Sequence, residues 1–265
     1  MNSLGFNKLE KDTKVVVAMS GGVDSSVAAV MLKKEGYDVT GITLQLYNNS
    51  NAVKSKSCCA GIDIEDAKKV AFNNDIKHIT LDYQEKFYEG VLNKFINSYS
   101  VGETPIPCVE CNQTVKFKDL LNEAKKMGAD ALVTGHYARR EGSLTNASLH
   151  KAKDLSKDQS FFLFATLQDQ LNYVRFPLGN FKKTEIRKIA KDFKLDVSNK
   201  PDSQDICFVN SNSYRDLIKN INPQLNKEGI IYDIDHKIIG KHKGISNYTI
   251  GQRKGIGISG TKEAL

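Results

Sequence analysis

No stretch of the 265 residues is apolar and long enough to cross a bilayer. The N-terminus, Met1 to Lys11, has no hydrophobic core of the kind an export signal needs, so a cytoplasmic location is expected. The chain carries five cysteines, 58, 59, 108, 111 and 207. An odd number without an export signal argues against a disulfide scaffold and turns attention to thiol reactivity. No Gly-Lys-Ser/Thr follows a glycine-rich loop, and no G-x-G-x-x-G opens a helix, which excludes the Walker and dinucleotide fingerprints. Internal repeats and low-complexity segments are absent as well.

What is present begins at residue 15. The apolar run Val15-Val16-Val17 leads into Ala18-Met-Ser-Gly-Gly-Val-Asp-Ser-Ser26. A strand, a tight turn and a helix start are expected in that order. Gly21 and Gly22 let the backbone close around a ligand, and N–H groups at a helix N-terminus make an anion site suited to phosphate. Ser20, Ser25 and Ser26 add hydroxyl donors. Asp24 is the odd member, since a carboxylate beside phosphates needs a cation between them. It points to Mg²⁺ bound together with a nucleotide.

The first half alternates strand and helix patterns: strands over 13–19, 37–46, 76–81 and 131–134, helices over 24–35, 63–73, 85–99 and 112–127. Alternation of this kind predicts a doubly wound parallel sheet with helices on both faces. Ligands then bind beyond the carboxyl ends of the strands, where Ser20 to Ser25, Leu44 and Gly135-His136 fall. Tyr47 to Lys56 reads as a polar loop. From about Phe208 the texture changes, and isoleucines 230, 231, 234, 238 and 239 predict a β-hairpin around Asp235-His236. The domain reading is 1–208 for the catalytic α/β unit and 209–265 for a small, partly β second unit.

Two prolines, Pro105 and Pro107, are expected to hold the approach to Cys108-Val-Glu-Cys111 extended, with Asn112 as the helix N-cap. Cys111 would then sit at a helix mouth that lowers its thiol pKa. Cys108-x-x-Cys111 is also compatible with a redox pair or half a zinc site. Cys108, Cys111 and Cys207 together could hold an iron–sulfur cluster. Phenylalanines 161, 162 and 164 read as core. Lys182, Lys183, Arg187, Lys188 and Lys191 read as the solvated face of a helix whose inner face is Ile186, Ile189, Ala190 and Phe193, and as candidates for phosphate contacts. The formal charge of +7 suits a polyanionic partner such as RNA.

The Ser-Gly-Gly-x-Asp-Ser loop resembles that of the ATP pyrophosphatases, the PP-loop superfamily with its adenine nucleotide alpha hydrolase-like fold. The resemblance narrows with Cys58-Cys59, Gly102-Glu-Thr-Pro-Ile-Pro-Cys-Val-Glu-Cys-Asn112, Gly128-Ala-Asp130 and Thr134-Gly-His-Tyr137. It continues through Lys157-Asp-Gln-Ser-Phe-Phe162, Lys200-Pro-Asp-Ser-Gln-Asp-Ile-Cys-Phe208 and Thr249-Ile-Gly-Gln-Arg-Lys-Gly255. In this order over nearly the whole chain, the set is similar to the bacterial tRNA-specific 2-thiouridylases. The resemblance implies ATP-dependent 2-thiolation of the tRNA wobble uridine. The uracil C2 oxygen is adenylated, sulfur arrives from a cysteine persulfide, and AMP and pyrophosphate leave. By match, Cys111 is the nucleophile and Cys207 the persulfide carrier, and the two form a transient disulfide. Ala18, Met19, Ser20, Gly21, Gly22, Val23, Asp24, Ser25, Leu44 and Gly135 match ATP-binding positions. Ile106, Pro107 and Cys108 match a segment touching the target base, and Lys157, Asp158 and Gln159 match a tRNA contact. Some relatives carry Asp where Cys108 stands, so no acid/base role is assigned to it. The implied partners are tRNA and a sulfur-donor protein. Full-length relatives continue into a C-terminal β-barrel, expected to begin where this chain ends, at Leu265. The rival readings are an adenylating ligase of a small metabolite, which would need no cysteines, and a non-catalytic RNA- or metal-binding remnant.

Overall fold

The structure is a computed structural model, and it describes residues 1–47, 61–202, 206–209 and 213–258. Cys58, Cys59 and nearly all of the expected loop over 47–56 lie outside the described residues.

Strands β1 (Lys14–Ala18), β2 (Asp38–Gln45), β3 (Lys77–Asp82) and β4 (Ala131–Val133) are joined by helices, among them α1 (Val23–Glu35) and α2 (Gly61–Asn73). A hairpin follows, β5 (Ala138–Gly142) with β6 (Ala147–Lys151), and then a short strand β7 (Val174–Arg175). The main sheet runs β3-β2-β1-β4-β7, and every pairing in it is parallel. The order reverses between β1 and β4, and that reversal opens a crevice at the carboxyl ends of both strands. A second hairpin, β8 (Gly229–Tyr232) with β9 (Ile238–His242), lies near the C-terminal end, as the isoleucine pattern anticipates.

Strand side chains alternate between the two faces and so build two cores. Val15, Val17, Val39 and Val133 pack against α1, α2 and the helix Lys183–Asp192, through Val27, Ala67, Val70, Ile186 and Ala190. Val16, Ile42, Leu44 and Leu132 face the opposite way, onto Phe87, Val91, Val115, Phe117 and Leu120. α1 is buried on nearly every side, with Val27, Ala28, Ala29 and Val30 fully covered, and it ends on Gly36 at φ +100°. A β-carbon would be strained there, so glycine suits the stop.

The second face differs from the expected regular helices. Residues 84–100 and 107–126 each contain a π-helical stretch, Tyr88–Leu92 and Asn112–Leu120. The longer of the two follows Cys111 directly and turns Asn112, Val115, Phe117 and Leu120 inward. The helical run also begins earlier than expected. Pro107 is its first residue, which corrects the extended approach assigned to Pro105 and Pro107. Proline lacks only an N–H that has no partner at that position, and its fixed φ is already helical. No described helix is long and apolar enough to cross a membrane.

Candidate nucleotide and sulfur site

Met19 to Gly22 follow β1, and the loop is held from three sides. The Met19 amide donates to Ile42 O at 2.8 Å, and Thr43 Oγ1 donates to Met19 O at 2.7 Å. Thr43 Oγ1 lies 2.8 Å from His78 Nε2. With the hydroxyl proton committed to Met19, that nitrogen carries the donor hydrogen. Within the loop the Ser20 amide donates to Ser25 Oγ at 3.1 Å, and Ser25 Oγ donates to Gly22 O at 3.3 Å. Gly21 sits at φ +73°, and a β-carbon there would lie 2.1 Å from Asp63 O, so the start of α2 closes one wall of the loop. Gly135, just after β4, closes another. A β-carbon on it would lie 2.7 Å from the Ser25 amide nitrogen. The crevice therefore gathers Ala18 to Ser25 and Gly135, while Leu44 is buried near the carboxyl end of β2.

Asp24 does not stand alone in the first turn of α1. Lys183 Nζ donates to both carboxylate oxygens at 2.7 Å, and the Tyr137 hydroxyl donates to Oδ1 at 2.8 Å. Burial, then the charge of Asp24, pushes the Tyr137 hydroxyl far up, which keeps it a permanent donor. Lys183 is 7% exposed, which corrects its placement on a solvated face. Its ammonium also meets Asp202 Oδ1 at 2.8 Å, and Asp202 takes further contacts from Lys157 at 3.1 Å and Arg187 at 2.7 Å. Burial pushes the Asp202 carboxyl up, but the hydrogen bonds from Lys183 and Lys157 outweigh it and bring the value down to about 2. Lys200 Nζ donates to Gly21 O at 3.0 Å, Asp63 at 2.5 Å and Asp66 at 2.6 Å. Thus Lys200 and Asp202 tie the start of the segment leading to Cys207 to the loop. Sequence reasoning named Lys157 as a tRNA contact and Lys183 and Arg187 only as candidate phosphate contacts, and it assigned no site role to Lys200, Asp202 or Tyr137, although these stand inside motifs already singled out.

Cys111 is buried, in the apolar cluster that holds Leu44 and packs against Ala18. Burial, foremost, pushes its thiol pKa up, and the neighbouring Lys116 only partly offsets this. That corrects the lowered thiol expected of a helix mouth: Cys111 closes the first turns of a helical run rather than opening it. Asn112 is likewise buried inside the run; its Nδ2 donates to Phe162 O at 3.1 Å, and its Oδ1 has no hydrogen-bond partner among the described residues. Cys207 is half-buried, and the Tyr47 hydroxyl donates to its carbonyl at 2.9 Å. Its neighbour Phe208 packs edge-on against Phe87 at 5.6 Å, within the core face that holds Cys111. Cys108, Cys111 and Cys207 all stand as thiols. No three Cys, His, Asp or Glu side chains among the described residues are gathered to hold a metal ion. As placed among the described residues, the three thiols are not gathered as the ligand set of an iron–sulfur cluster.

Ile106 caps the helical run and is 43% exposed, with Pro107 buried behind it. Asp158 and Gln159 are internal braces. Asp158 accepts from the Ala152 amide at 2.8 Å and from Ser160 Oγ at 2.7 Å, and Gln159 Oε1 accepts from the Tyr137 amide at 2.9 Å. The aromatic run is not core throughout, since Phe161 and Phe164 are 60% and 66% exposed. His136 is half-buried against Phe117 and Phe176, with Nδ1 2.8 Å from Thr134 Oγ1. Burial holds its pKa well below the usual imidazole value.

A parallel α/β sheet with a glycine turn, a helix N-terminus and a cation-paired aspartate at its switch point defines a phosphate-loop α/β protein. The comparisons sharpen that class. Residues 13–211 match the family model described as "tRNA methyl transferase HUP domain", and residues 215–265 match "tRNA methyl transferase PRC-barrel domain". A protein of Rhodospirillum centenum named tRNA-specific 2-thiouridylase MnmA is 53% identical over 263 residues, covering 99% of this chain and 67% of the relative. One of the same name from Brucella suis is 54% identical over 266 residues, covering 100% and 67%. A third, from Hyphomonas neptunium, is 54% identical over 260 residues, covering 98% and 66%. The chain thus spans about two thirds of the length of these relatives. It belongs to the tRNA-specific 2-thiouridylase family.

Proposed function

We propose that the chain catalyses ATP-dependent 2-thiolation of the wobble uridine of tRNA. The observation that carries this reading is the joining of two features by one segment. The segment's start is tied to the phosphate loop through Lys200 and Asp202, and its far end, at Cys207 and Phe208, docks on the core face that holds Cys111.

Ala18 to Ser25, Leu44 and Gly135 would hold ATP, with the loop amides and serine hydroxyls on phosphate. Mg²⁺ accompanying the nucleotide would sit on Asp24, whose carboxylate is 31% exposed. The uracil C2 oxygen attacks the α-phosphorus and pyrophosphate leaves, turning a poor leaving group into AMP. The terminal sulfur of a persulfide on Cys207 adds to C2, and AMP departs with the oxygen. The Cys111 thiolate then attacks the Cys207 sulfur and breaks the S–S bond. The new sulfur stays on the base, and a Cys111–Cys207 disulfide forms. An external dithiol reduces that disulfide, and a sulfur-donor protein reloads Cys207. Because burial keeps the Cys111 thiol protonated, this step requires substrate binding to change its surroundings. Ile106, Pro107 and Cys108 would face the target base, and Lys157, Asp158 and Gln159 would lie along the tRNA. Of these three, Lys157 has the exposure to reach phosphate (43%), while Asp158 and Gln159 would act by fixing the loop. We assign 1–208 to the catalytic unit and 209–265 to the second unit, a division close to the junction of the two matching family models.

The test is incubation with ATP, Mg²⁺, a sulfur donor and unmodified tRNA, followed by nucleoside mass spectrometry. The expected result is 2-thiouridine, lost in Cys111→Ser and in Cys207→Ser while ATP binding persists. Pyrophosphate release that is insensitive to both substitutions, with no thiolated nucleoside, would overturn the reading in favour of a cysteine-independent ligase.

A further inference from the structure

We propose that Cys108 is a further catalytic residue, a resolving thiol that takes Cys111 from Cys207 and hands the turnover disulfide to the reductant as Cys108–Cys111. The proposal rests on the thiolation reading above and deepens its last step.

The helical register brings the pair together. Cys108 and Cys111 lie at the start of one continuous helical run, 107–126, in which the Asn112 amide donates to the Cys108 carbonyl. Residues three apart on a helix share a face, with β-carbons about 5–6 Å apart. A disulfide asks for about 3.5–4.5 Å, so a small tightening of this turn closes the pair. The turn lies at the end of the run, where Pro107 has no amide hydrogen to lose and the Glu110 amide reaches the Ile106 carbonyl only at 3.5 Å. Cys108 is also close enough for its charge to add to the rise of the Cys111 thiol pKa.

The two thiols differ in access. Cys111 is 8% exposed, in the cluster with Leu44, Val115 and Phe117, whereas Cys108 is half-buried. Once the Cys111–Cys207 bond has formed, the Cys111 sulfur is therefore the one that a dissolved dithiol reaches least. Cys108 already stands on the same helix face, and an oriented neighbour competes at an effective concentration far above that of a reductant in solution. Since Cys108 would face the target base, the exchange follows release of that base. The Cys108 thiol gives its proton to solvent and the thiolate attacks Cys111 Sγ. The Cys108–Cys111 bond forms, the Cys111–Cys207 bond breaks, and the electron pair leaves on Cys207, which takes up a proton. Nothing is oxidised or reduced in this exchange, and Cys207 returns as a thiol ready for reloading. The external dithiol then attacks the more accessible Cys108 sulfur and is itself oxidised as the pair is reduced.

Two measurements test this. In the first, the persulfide-loaded chain is given ATP, Mg²⁺ and unmodified tRNA for one turnover without dithiol. It is quenched in acid with N-ethylmaleimide, digested without reduction and read by mass spectrometry. The expected product carries a Cys108–Cys111 bond within one peptide and a maleimide-capped Cys207. In Cys108→Ser and Cys108→Ala the Cys111–Cys207 cross-link is expected to persist instead. At limiting dithiothreitol, the steady-state rate of each variant relative to its own first turnover is expected to fall about tenfold or more below that of the unmodified chain. A lasting Cys111–Cys207 cross-link in the unmodified chain would overturn the proposal, and so would a rate ratio unaltered by both substitutions. The second measurement needs no turnover: Cys207→Ser is equilibrated with excess oxidised glutathione and mapped in the same way. Closure of Cys108–Cys111 is expected. Glutathione held on Cys108 beside a free Cys111 would overturn the resolving role while leaving thiolation standing. Closure of the pair in a chain that makes no 2-thiouridine would remove the thiolation reading and the resolving role with it.

Discussion

At the scale of single residues, glycine and lysine decide the site for opposite reasons. Gly135 is needed because nothing larger fits: its α-carbon faces the backbone of Asp24 and Ser25, which cannot move without unwinding the first turn of α1. Gly135→Ala is therefore expected to weaken nucleotide binding by at least about tenfold, with thermal stability lowered by about 1–3 kcal/mol. Equilibrium binding of a fluorescent ATP analogue checks this, and unchanged affinity would refute the close approach. Cys111 gives a second prediction at this scale. With its thiol pKa raised by burial, its iodoacetamide rate should rise with pH only above the ordinary thiol value of 9.0. A profile for Cys111 that rises below that value would restore the low-pKa reading. Gly21, Gly22 and Asp24 were legible in the sequence because their constraint is local, a turn between a strand and a helix. Lys183 was not, because its partner Asp24 lies 159 positions away and a lysine at the start of an amphipathic helix looks like solvated surface. The burial of Cys111 was hidden for a similar reason: proline reads as a breaker until it is placed as the first residue of a helix.

At the scale of elements, the sheet was readable from alternation alone, and the strands of its central part fall within a residue or two of expectation. The hairpin β5–β6 and the two-residue β7 were not, since they are short, polar on one side and held mainly by neighbours. Arg140, for instance, reaches from β5 to the carbonyl of Leu171 at 3.1 Å. The connection between α2 and the phosphate loop also exceeds what periodicity shows. Lys200 neutralises Asp63 and Asp66 at the start of α2 while holding the Gly21 carbonyl. Burial pushes the Lys200 ammonium pKa down, but the two carboxylates outweigh this and raise it, so the ammonium stays protonated near neutrality. Lys200→Met would leave the buried Asp63 carboxylate without its cation, at a cost of roughly 2 kcal/mol in a urea titration. Adding Asp63→Asn should recover part of that loss. A double variant no more stable than Lys200→Met would show that the cost comes from lost packing instead.

At the scale of the whole molecule, two half-buried histidines and one aspartate give stability a definite dependence on pH. Burial, ahead of the charge of Lys68, lowers the His78 pKa, and burial, ahead of Lys116, lowers that of His136 far more. In the unfolded chain both take up a proton near the ordinary value of 6.5, while the folded chain resists until lower pH. The unfolded state therefore binds more protons below 6.5, and stability falls as pH drops through that range. It is fully present above it. Asp202 adds a second, more acidic loss: its folded value of about 2 lies below the ordinary 3.8, so its contribution holds above 3.8 and disappears on the way down to 2. The urea midpoint is expected to be flat from pH 8 to 7 and to decline steadily from 6.5 to 5. His136→Phe keeps an aromatic ring against Phe117 and Phe176 but removes the titrating group, so it should flatten most of that decline. A midpoint that stays level or climbs between pH 7 and 5 in the unmodified chain would mean that neither imidazole is held neutral by the fold. The support that His78 gives to Met19 through Thr43 would then have to come from a charged ring.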